Sequence, residues 1–244
     1  MSKHQGAYYN FVSLIGKKLI SIIEWQISRN VESKVFFTKE EFQWIKKIER
    51  NYPLILNEYF SIKAAEGLSD INEISNEQDI VIERNSWNFF PLRLYGVNIN
   101  ENISKAPKTY ETLQCIPNVT TAFFSVLKPH KLIKPHRGAY KGYLRMHLGV
   151  NIPDENACGI RFDDYTYHWK NGEAVIFDDT FVHDAWNNAD KERVILYVDF
   201  IRPMPKYLTS ISKLLTLLIQ KSPYTKNALT NLQKHSQQAN DLHL

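Results

Sequence analysis

Two histidines in this 244-residue chain sit in surroundings where chemistry can be built. His136 lies in the run Lys134-Pro135-His136-Arg137-Gly138, just past a strand-like segment. His183 lies in Phe177-Asp178-Asp179-Thr180-Phe181-Val182-His183-Asp184, between two other strand-like segments. Imidazole nitrogens ligate divalent transition metals, and a pair on neighbouring strands leaves several coordination positions open. Arg193 follows His183 by ten residues and opens the next strand-like run. Its planar guanidinium can hold a carboxylate through two parallel hydrogen bonds. The residues alone leave two readings open, a metal site or two histidines satisfied in core or surface. The remaining histidines read as bland. His4, His235 and His243 fall in solvated tails, and His130 and His168 have no evident partner.

These side chains need a scaffold that brings distant segments together. Hydrophobic residues make up 43% of the chain and aromatic ones 13%, which favours a strand-built core. Short apolar runs are separated by turn residues at Val119–Leu127, Leu144–Ile152, Gly159–Phe162, Tyr165–Trp169, Ala174–Phe177 and Val194–Ile201. Many short strands at even spacing, with no long helix between them, point to a barrel or sandwich rather than a doubly wound sheet. The expected architecture is mainly β with flanking helices, the core being a double-stranded β-helix (jelly roll, cupin-like). One domain is expected, with a helical N-terminal flank over 1–86, the core over 87–204 and a helical tail over 205–244. Apolar residues recur at helical spacing from Phe11 to Ile27 and again at Leu208, Ile211, Leu214, Leu215, Leu218 and Ile219. A second helix is expected to start at Thr38 and run through Trp44 and Ile48 to a break at Tyr52-Pro53, with another over Leu54–Ala65. Ser69–Gln78 reads as a loop, and the Asn/Gln/His-rich segment from Thr230 as frayed.

Composition also excludes function classes. The formal charge of +4 carries no Lys/Arg stripe interleaved with aromatics, so no nucleic-acid partner is expected. Cys115 and Cys158 have no metal-type spacing and read as small core residues in a reducing compartment. The segment Phe11–Ile27 is interrupted by Lys17, Lys18 and Glu24 and fails as a membrane span. With no secretory signal evident, the expectation is a cytoplasmic protein, with peripheral membrane contact through the basic, Leu-rich stretch Lys206–Lys221 and the apolar helix Phe11–Ile27 kept as an alternative.

From Trp87 to about Met204 the chain resembles the aspartyl/asparaginyl β-hydroxylases, a family of Fe(II) and 2-oxoglutarate-dependent oxygenases. The resemblance rests on Ala106-Pro107-Lys108-Thr109, Pro135-His136-Arg137-Gly138 and Leu144-Arg145-Met146-His147-Leu148-Gly149. It continues through Trp169, Gly172, the run Phe177 to His183, Trp186-Asn187, Arg193 and Val198-Asp199. Most oxygenases of this kind carry a carboxylate ligand two residues after the first histidine; the resembled family has glycine there, as Gly138 does here. The resemblance implies an enzyme that uses Fe(II), 2-oxoglutarate and O₂. It implies that His136 and His183 ligate the iron, and that Arg193 and His147, assisted by Ser125, hold the distal carboxylate of 2-oxoglutarate. Arg145 and Trp87 would lie near the carboxylate that chelates iron. Asp178 and Asp179 would orient the site or shape a turn, and Asp184 would face away from the metal.

The resemblance further implies hydroxylation of an Asp/Asn-like residue in a peptide or protein. The chain departs from the peptide hydroxylases at Tyr143, where they carry an arginine that grips the substrate carboxylate, and Arg84 only loosely matches a second such arginine. A lipid acyl chain or a small molecule such as an amino acid is therefore the alternative substrate. From another class, a non-catalytic jelly-roll binding module is the second alternative.

Overall fold

The computed structural model describes residues 3–65, 68–74 and 82–241. Its framework is two antiparallel sheets facing each other. The larger contains β1 (Phe36–Phe37), β2 (Ser69–Asp70), β3 (Trp87–Leu94), β4 (Val97–Asn98), β5 (Val119–Leu127), β7 (Tyr143–Asn151), β10 (Ala174–Phe177) and β12 (Arg193–Ile201). Their order is β1-β10-β7-β12-β5-β3-β2, with β4 paired to β3. The smaller sheet runs β6 (Lys131–His136), β11 (His183–Asn187), β8 (Cys158–Phe162) and β9 (Tyr165–His168). From β5 to β12 the chain repeatedly crosses from one sheet to the other. That is the jelly roll expected from the short, evenly spaced strands.

The two-residue period of the strands decides what each face does. Leu144, Met146 and Leu148 of β7, Phe124 and Val126 of β5, and Leu196 and Val198 of β12 form one apolar face. Against it pack Ile45 and Ile48 of α2 (Ile45–Arg50) and Ile55 and Tyr59 of α3 (Tyr52–Ala64), all buried. The alternate residues of the same strands, Arg145 and His147, Phe123 and Ser125, Tyr197 and Asp199, point between the sheets. A chain that reads as continuous apolar run on one parity thus carries polar groups on the other, and these occupy the interior.

Short helices fill in the outer layer. α5 (Asn100–Lys105) leads into α6 (Pro107–Leu113), which neither strand nor helix periodicity announced. Its first turn is satisfied from outside, because the Glu58 carboxylate accepts the backbone N–H of Lys108 and of Thr109, each at 2.7 Å. A proline at the helix start and an anion on the exposed N–H groups both favour that end.

Several expectations are corrected. Thr38 opens a single 3-10 turn, Lys39–Glu41, whose Glu41 side chain accepts the Thr38 N–H at 2.8 Å. The chain then turns inward so that Phe42 and Trp44 pack edge-on against Phe200, and helix resumes only at Ile45. Within the expected loop Ser69–Gln78, residues 69–74 form β2 and the one-turn α4 (Ile71–Ile74), and the rest lies outside the described residues. The expected fraying from Thr230 gives way to α8 (Pro223–Asp241), which follows α7 (Lys206–Lys221); Ala228 and Leu232, four residues apart, anchor it in the core. His130 and His168 do have partners: His130 Nε2 lies 3.1 Å from Asp190, and His168 Nδ1 donates to the Glu155 carbonyl at 3.0 Å. The side chains of His4, His235 and His243 lie outside the described residues.

Candidate active site

His136 ends β6, His183 begins β11, and the antiparallel register sets them directly opposite each other. Their ring centroids are 4.3 Å apart. Each Nδ1–H donates to the backbone carbonyl two residues earlier, His136 to Lys134 and His183 to Phe181, both at 2.8 Å. That pairing places the proton on Nδ1 and leaves a lone pair on each Nε2, the arrangement found in metal-ligating histidines. Burial lowers the pKa of both rings, that of His183 to about 3, so both are neutral at physiological pH. The donor set therefore fits a transition-metal ion. Among the described residues no cluster of three or more His, Cys, Asp or Glu groups is arranged to hold a metal, so an ion here would have two protein ligands.

The reason lies at Gly138. A Cβ there would fall 2.1 Å from Oδ2 of Asp179, whose carboxylate occupies the room a longer side chain would need. The two residues are tied by the Gly138 N–H donating to the Asp179 carbonyl at 2.7 Å. Asp179 is buried, and burial raises its pKa to about 6 despite the neighbouring Arg145. Arg145 donates to Asp179 at 2.7 Å and to Asp199 at 2.8 Å, with its guanidinium 4.2 Å from the centre of the Tyr197 ring. The resemblance implies a place for Arg145 near the co-substrate carboxylate that chelates iron. In the structure it lines the cavity, but the two aspartates already engage it. Asp199 belongs to this network and was given no role from sequence; its place on the same face as Tyr197 and Arg193 was the available signal. Asp178 shapes the turn, accepting the Thr180 N–H at 3.0 Å and pairing with buried Arg202. Asp184 is engaged by Arg161 across the strand pair, as its opposite facing predicts.

Deeper between the sheets lies Arg193, 1% exposed, its guanidinium 4.7 Å from the centre of the Trp169 ring. Its Nε and Nη2 have no hydrogen-bond partner. Burial lowers its pKa to about 10. His147 is buried nearby against Trp169, Phe177 and Tyr197, and both its ring nitrogens also lack partners. Burial, reinforced by Arg145 and Arg193, depresses its pKa. Buried donors without acceptors are costly, so this pair fits a small anion that enters the interior. Ser125 accepts the indole N–H of Trp87 at 2.9 Å, which fixes both residues beside it.

A cavity of about 340 Å³ opens onto this constellation. His136, Trp87, Arg145 and Asp179 are on its wall, and His183, His147, Arg193 and Ser125 are not among its lining residues. Tyr143, Thr216 and Ile219 also line it, with Tyr224 and Ala228 from α8. Arg84, a loose match to a second substrate-gripping arginine, is exposed and is not among the residues of this wall.

Similarity to known proteins extends the same outline. The family profile described as Aspartyl/Asparaginyl beta-hydroxylase matches residues 49–203, reaching back from Trp87 into the helices of the outer layer. An ornithine lipid ester-linked acyl 2-hydroxylase of Rhizobium tropici is 34% identical over 226 residues, covering 90% of this chain and 80% of that one. The human aspartyl/asparaginyl beta-hydroxylase is 36% identical over 166 residues, 65% of this chain but only 21% of that protein. Human aspartate beta-hydroxylase domain-containing protein 2 is 28% identical over 82% of this chain, which spans 55% of its length. With the match running through both histidine strands, the glycine between them and Arg193, the chain belongs to the aspartyl/asparaginyl beta-hydroxylase family.

Proposed function

We propose that this protein is an Fe(II) and 2-oxoglutarate-dependent hydroxylase whose substrate is the acyl chain of a lipid. The observation that carries the cofactor reading is the buried guanidinium of Arg193, whose Nε and Nη2 lack partners, behind two neutral imidazoles set opposite each other. His136 and His183 would hold the iron through Nε2. Arg193 and His147 would take the distal carboxylate of the 2-oxo acid, in a pocket where water is excluded and a charge-assisted pair is strong. Bound together, iron and 2-oxoglutarate supply an oxidant, made from O₂, that is capable of hydroxylating an unactivated carbon. The chain's own part is placement. Asp179, held by Arg145, fills the space beside Gly138 that a third ligand would use, and stands ready to orient water there. Ser125 and Trp87 brace the wall between the cavity and the anion pocket.

Two observations favour an acyl chain. The cavity wall includes Phe89, Leu94, Phe123 and Ile219 with Tyr143 and Thr216, so much of it offers hydrocarbon and hydroxyl surface. Tyr143 stands where the peptide hydroxylases carry a carboxylate-gripping arginine, and Arg145 is engaged by two aspartates. A site that binds an acidic side chain needs a cation to replace lost hydration. In addition, the similarity to the rhizobial lipid hydroxylase covers more of the chain than the family profile does, and so takes in part of the terminal segments. The second reading, a peptidyl Asp/Asn substrate, is supported by the 36% identity to the human hydroxylase over 65% of this chain.

Succinate release tests both. The full chain with Fe(II), 2-oxoglutarate and O₂ is offered an acylated aminolipid in detergent micelles or an acidic peptide, and each is checked by mass for one added oxygen. Release coupled to oxygenation of the lipid supports the proposal. Coupling to the peptide alone assigns the second reading, and no release with any substrate removes the hydroxylase assignment.

A further inference from the structure

The helices that close the cavity carry a second feature that the hydroxylase site does not use. Tyr207, Leu214, Leu217 and Leu218 of α7 are all more than half exposed. At helical spacing they form one outward stripe, distinct from the inward-facing Leu208, Ile211 and Leu215. Lys206 and Lys213 border the stripe on one side and Lys221 ends it. Between residues 206 and 240 the chain has five lysines and no acidic residue, although 26 acidic residues occur in the whole sequence. α1 (Lys3–Asn30) repeats the pattern. Leu19, Ile22 and Trp25 are exposed, with Lys18 and Arg29 on the same face and Arg29 stacked 5.0 Å from the Trp25 ring. The helices are neighbours, since Ile23 and Ile27 of α1 share a buried cluster with Leu208 of α7.

No helix of the described residues is long and apolar enough to cross a membrane. Apolar side chains exposed beside lysines, on a helix whose other face is anchored in protein, instead match a surface that sits in the headgroup layer. We infer that the outer faces of α7 and α1 dock on a bilayer containing anionic phospholipids. The occupant follows from charge: the apolar stripe alone would suit a partner protein or a second copy, but a lysine border without acidic residues is complementary to a negative lipid surface.

The dock is coupled to the cavity by hydrogen bonds. The Tyr140 hydroxyl pairs with Ser212 and the Tyr143 hydroxyl with Thr216, both at 2.8 Å and one helical turn apart on α7. Thr216 and Ile219 line the cavity while Leu218, next to Ile219, faces outward. Arg137, exposed at the cavity rim beside His136, adds a further cation at that opening. A bilayer against α7 therefore lies beside the cavity entrance. This purpose rests on the acyl-chain reading, whereas the docking itself does not.

Flotation of the full chain with vesicles of phosphatidylcholine alone, or of phosphatidylcholine mixed with phosphatidylglycerol, separates the outcomes. The protein is expected to float with the anionic vesicles and to be released by high salt. Replacing Lys206 or Lys213 by Gln should lower partitioning about fivefold each. Leu214→Asp with Leu218→Asp should lower it by about tenfold or more, with unchanged circular dichroism because both side chains are exposed. Absence from anionic vesicles, or flotation unaffected by these variants, overturns the inference. So does a dimer in sedimentation that the double variant dissolves, which would assign the face to a second copy. Turnover of detergent-dispersed lipid is scored separately: docking without turnover defeats the substrate reading, and turnover without docking defeats this one.

Discussion

Removing the Arg193 guanidinium should raise stability and weaken co-substrate binding at once. Arg193 is 1% exposed, has two nitrogens without partners and is held by one aromatic face at 4.7 Å. The drop of its pKa from 12.5 to about 10 corresponds to roughly 3 kcal/mol against the charged form in the folded protein. The Trp169 contact offsets about 1–2 kcal/mol of that. Arg193→Met, of similar length and uncharged, should therefore stabilise the metal-free, co-substrate-free protein by about 1–2 kcal/mol. The same change deprives the 2-oxo acid of a buried charged partner, which costs about 2–5 kcal/mol and weakens binding roughly thirty-fold or more. Urea denaturation with and without 2-oxoglutarate in the presence of a redox-inert divalent ion reads both effects. The parent should gain stability as co-substrate is added, and the variant should start higher and gain little. A variant that is several kcal/mol less stable yet keeps its co-substrate affinity would show that the guanidinium is structural, and would refute the reasoning.

Three further outcomes follow from the site. Gly138→Ala forces a Cβ against the Asp179 carboxylate and should cost about 1–3 kcal/mol as overpacking; chemical denaturation should show the cost shrink when Asp179→Gly is added, and simple additivity would contradict the clash. The metal-free protein should lose stability as pH falls from about 7 toward 5. His136, His147 and His183 all have folded pKa values below the unfolded value, so the unfolded chain binds more protons there, at about 1.4 kcal/mol per pH unit for each at most. Asp179, raised to about 6, works in the opposite sense below that pH and removes part of the slope; a flat denaturation profile over this window would contradict the buried neutral imidazoles. His183→Ala should abolish iron-dependent succinate formation, measured enzymatically, and unchanged turnover would strike it from the metal site.

What the sequence revealed depended on how local the determining physics was. The strands Val119–Leu127 and Ala174–Phe177 are legible to the residue because their β-branched and aromatic runs end at turns. β6 and β11, which carry the two histidines, do not announce themselves as strands: Lys134-Pro135-His136 and Asp184 interrupt any apolar period, β6 burying only Ile133 and β11 burying the polar His183, Asp184 and Asn187. The helix expected from Thr38 failed because long-range packing of Phe42 and Trp44 on Phe200 outweighs local capping. α8 was hidden by its Asn and Gln content, although Ala228 and Leu232 hold it down. Within the site, His136, His183, Arg193 and His147 stood out by type and motif. The engagement of Arg145 by Asp179 and Asp199 could not be seen, because it depends on the β7–β12 register that sets Arg145 opposite Asp199. The crowding of Gly138 by Asp179 likewise joins residues forty-one positions apart.

Anaerobic titration of the protein with Fe(II) and 2-oxoglutarate, followed by visible absorption, tests the central claim most directly. A metal-to-ligand charge-transfer band should grow to one equivalent of iron, require 2-oxoglutarate, vanish in His183→Ala and need far more co-substrate in Arg193→Met. No band in the parent protein, or the same band in His183→Ala, would contradict an iron site built from these two histidines.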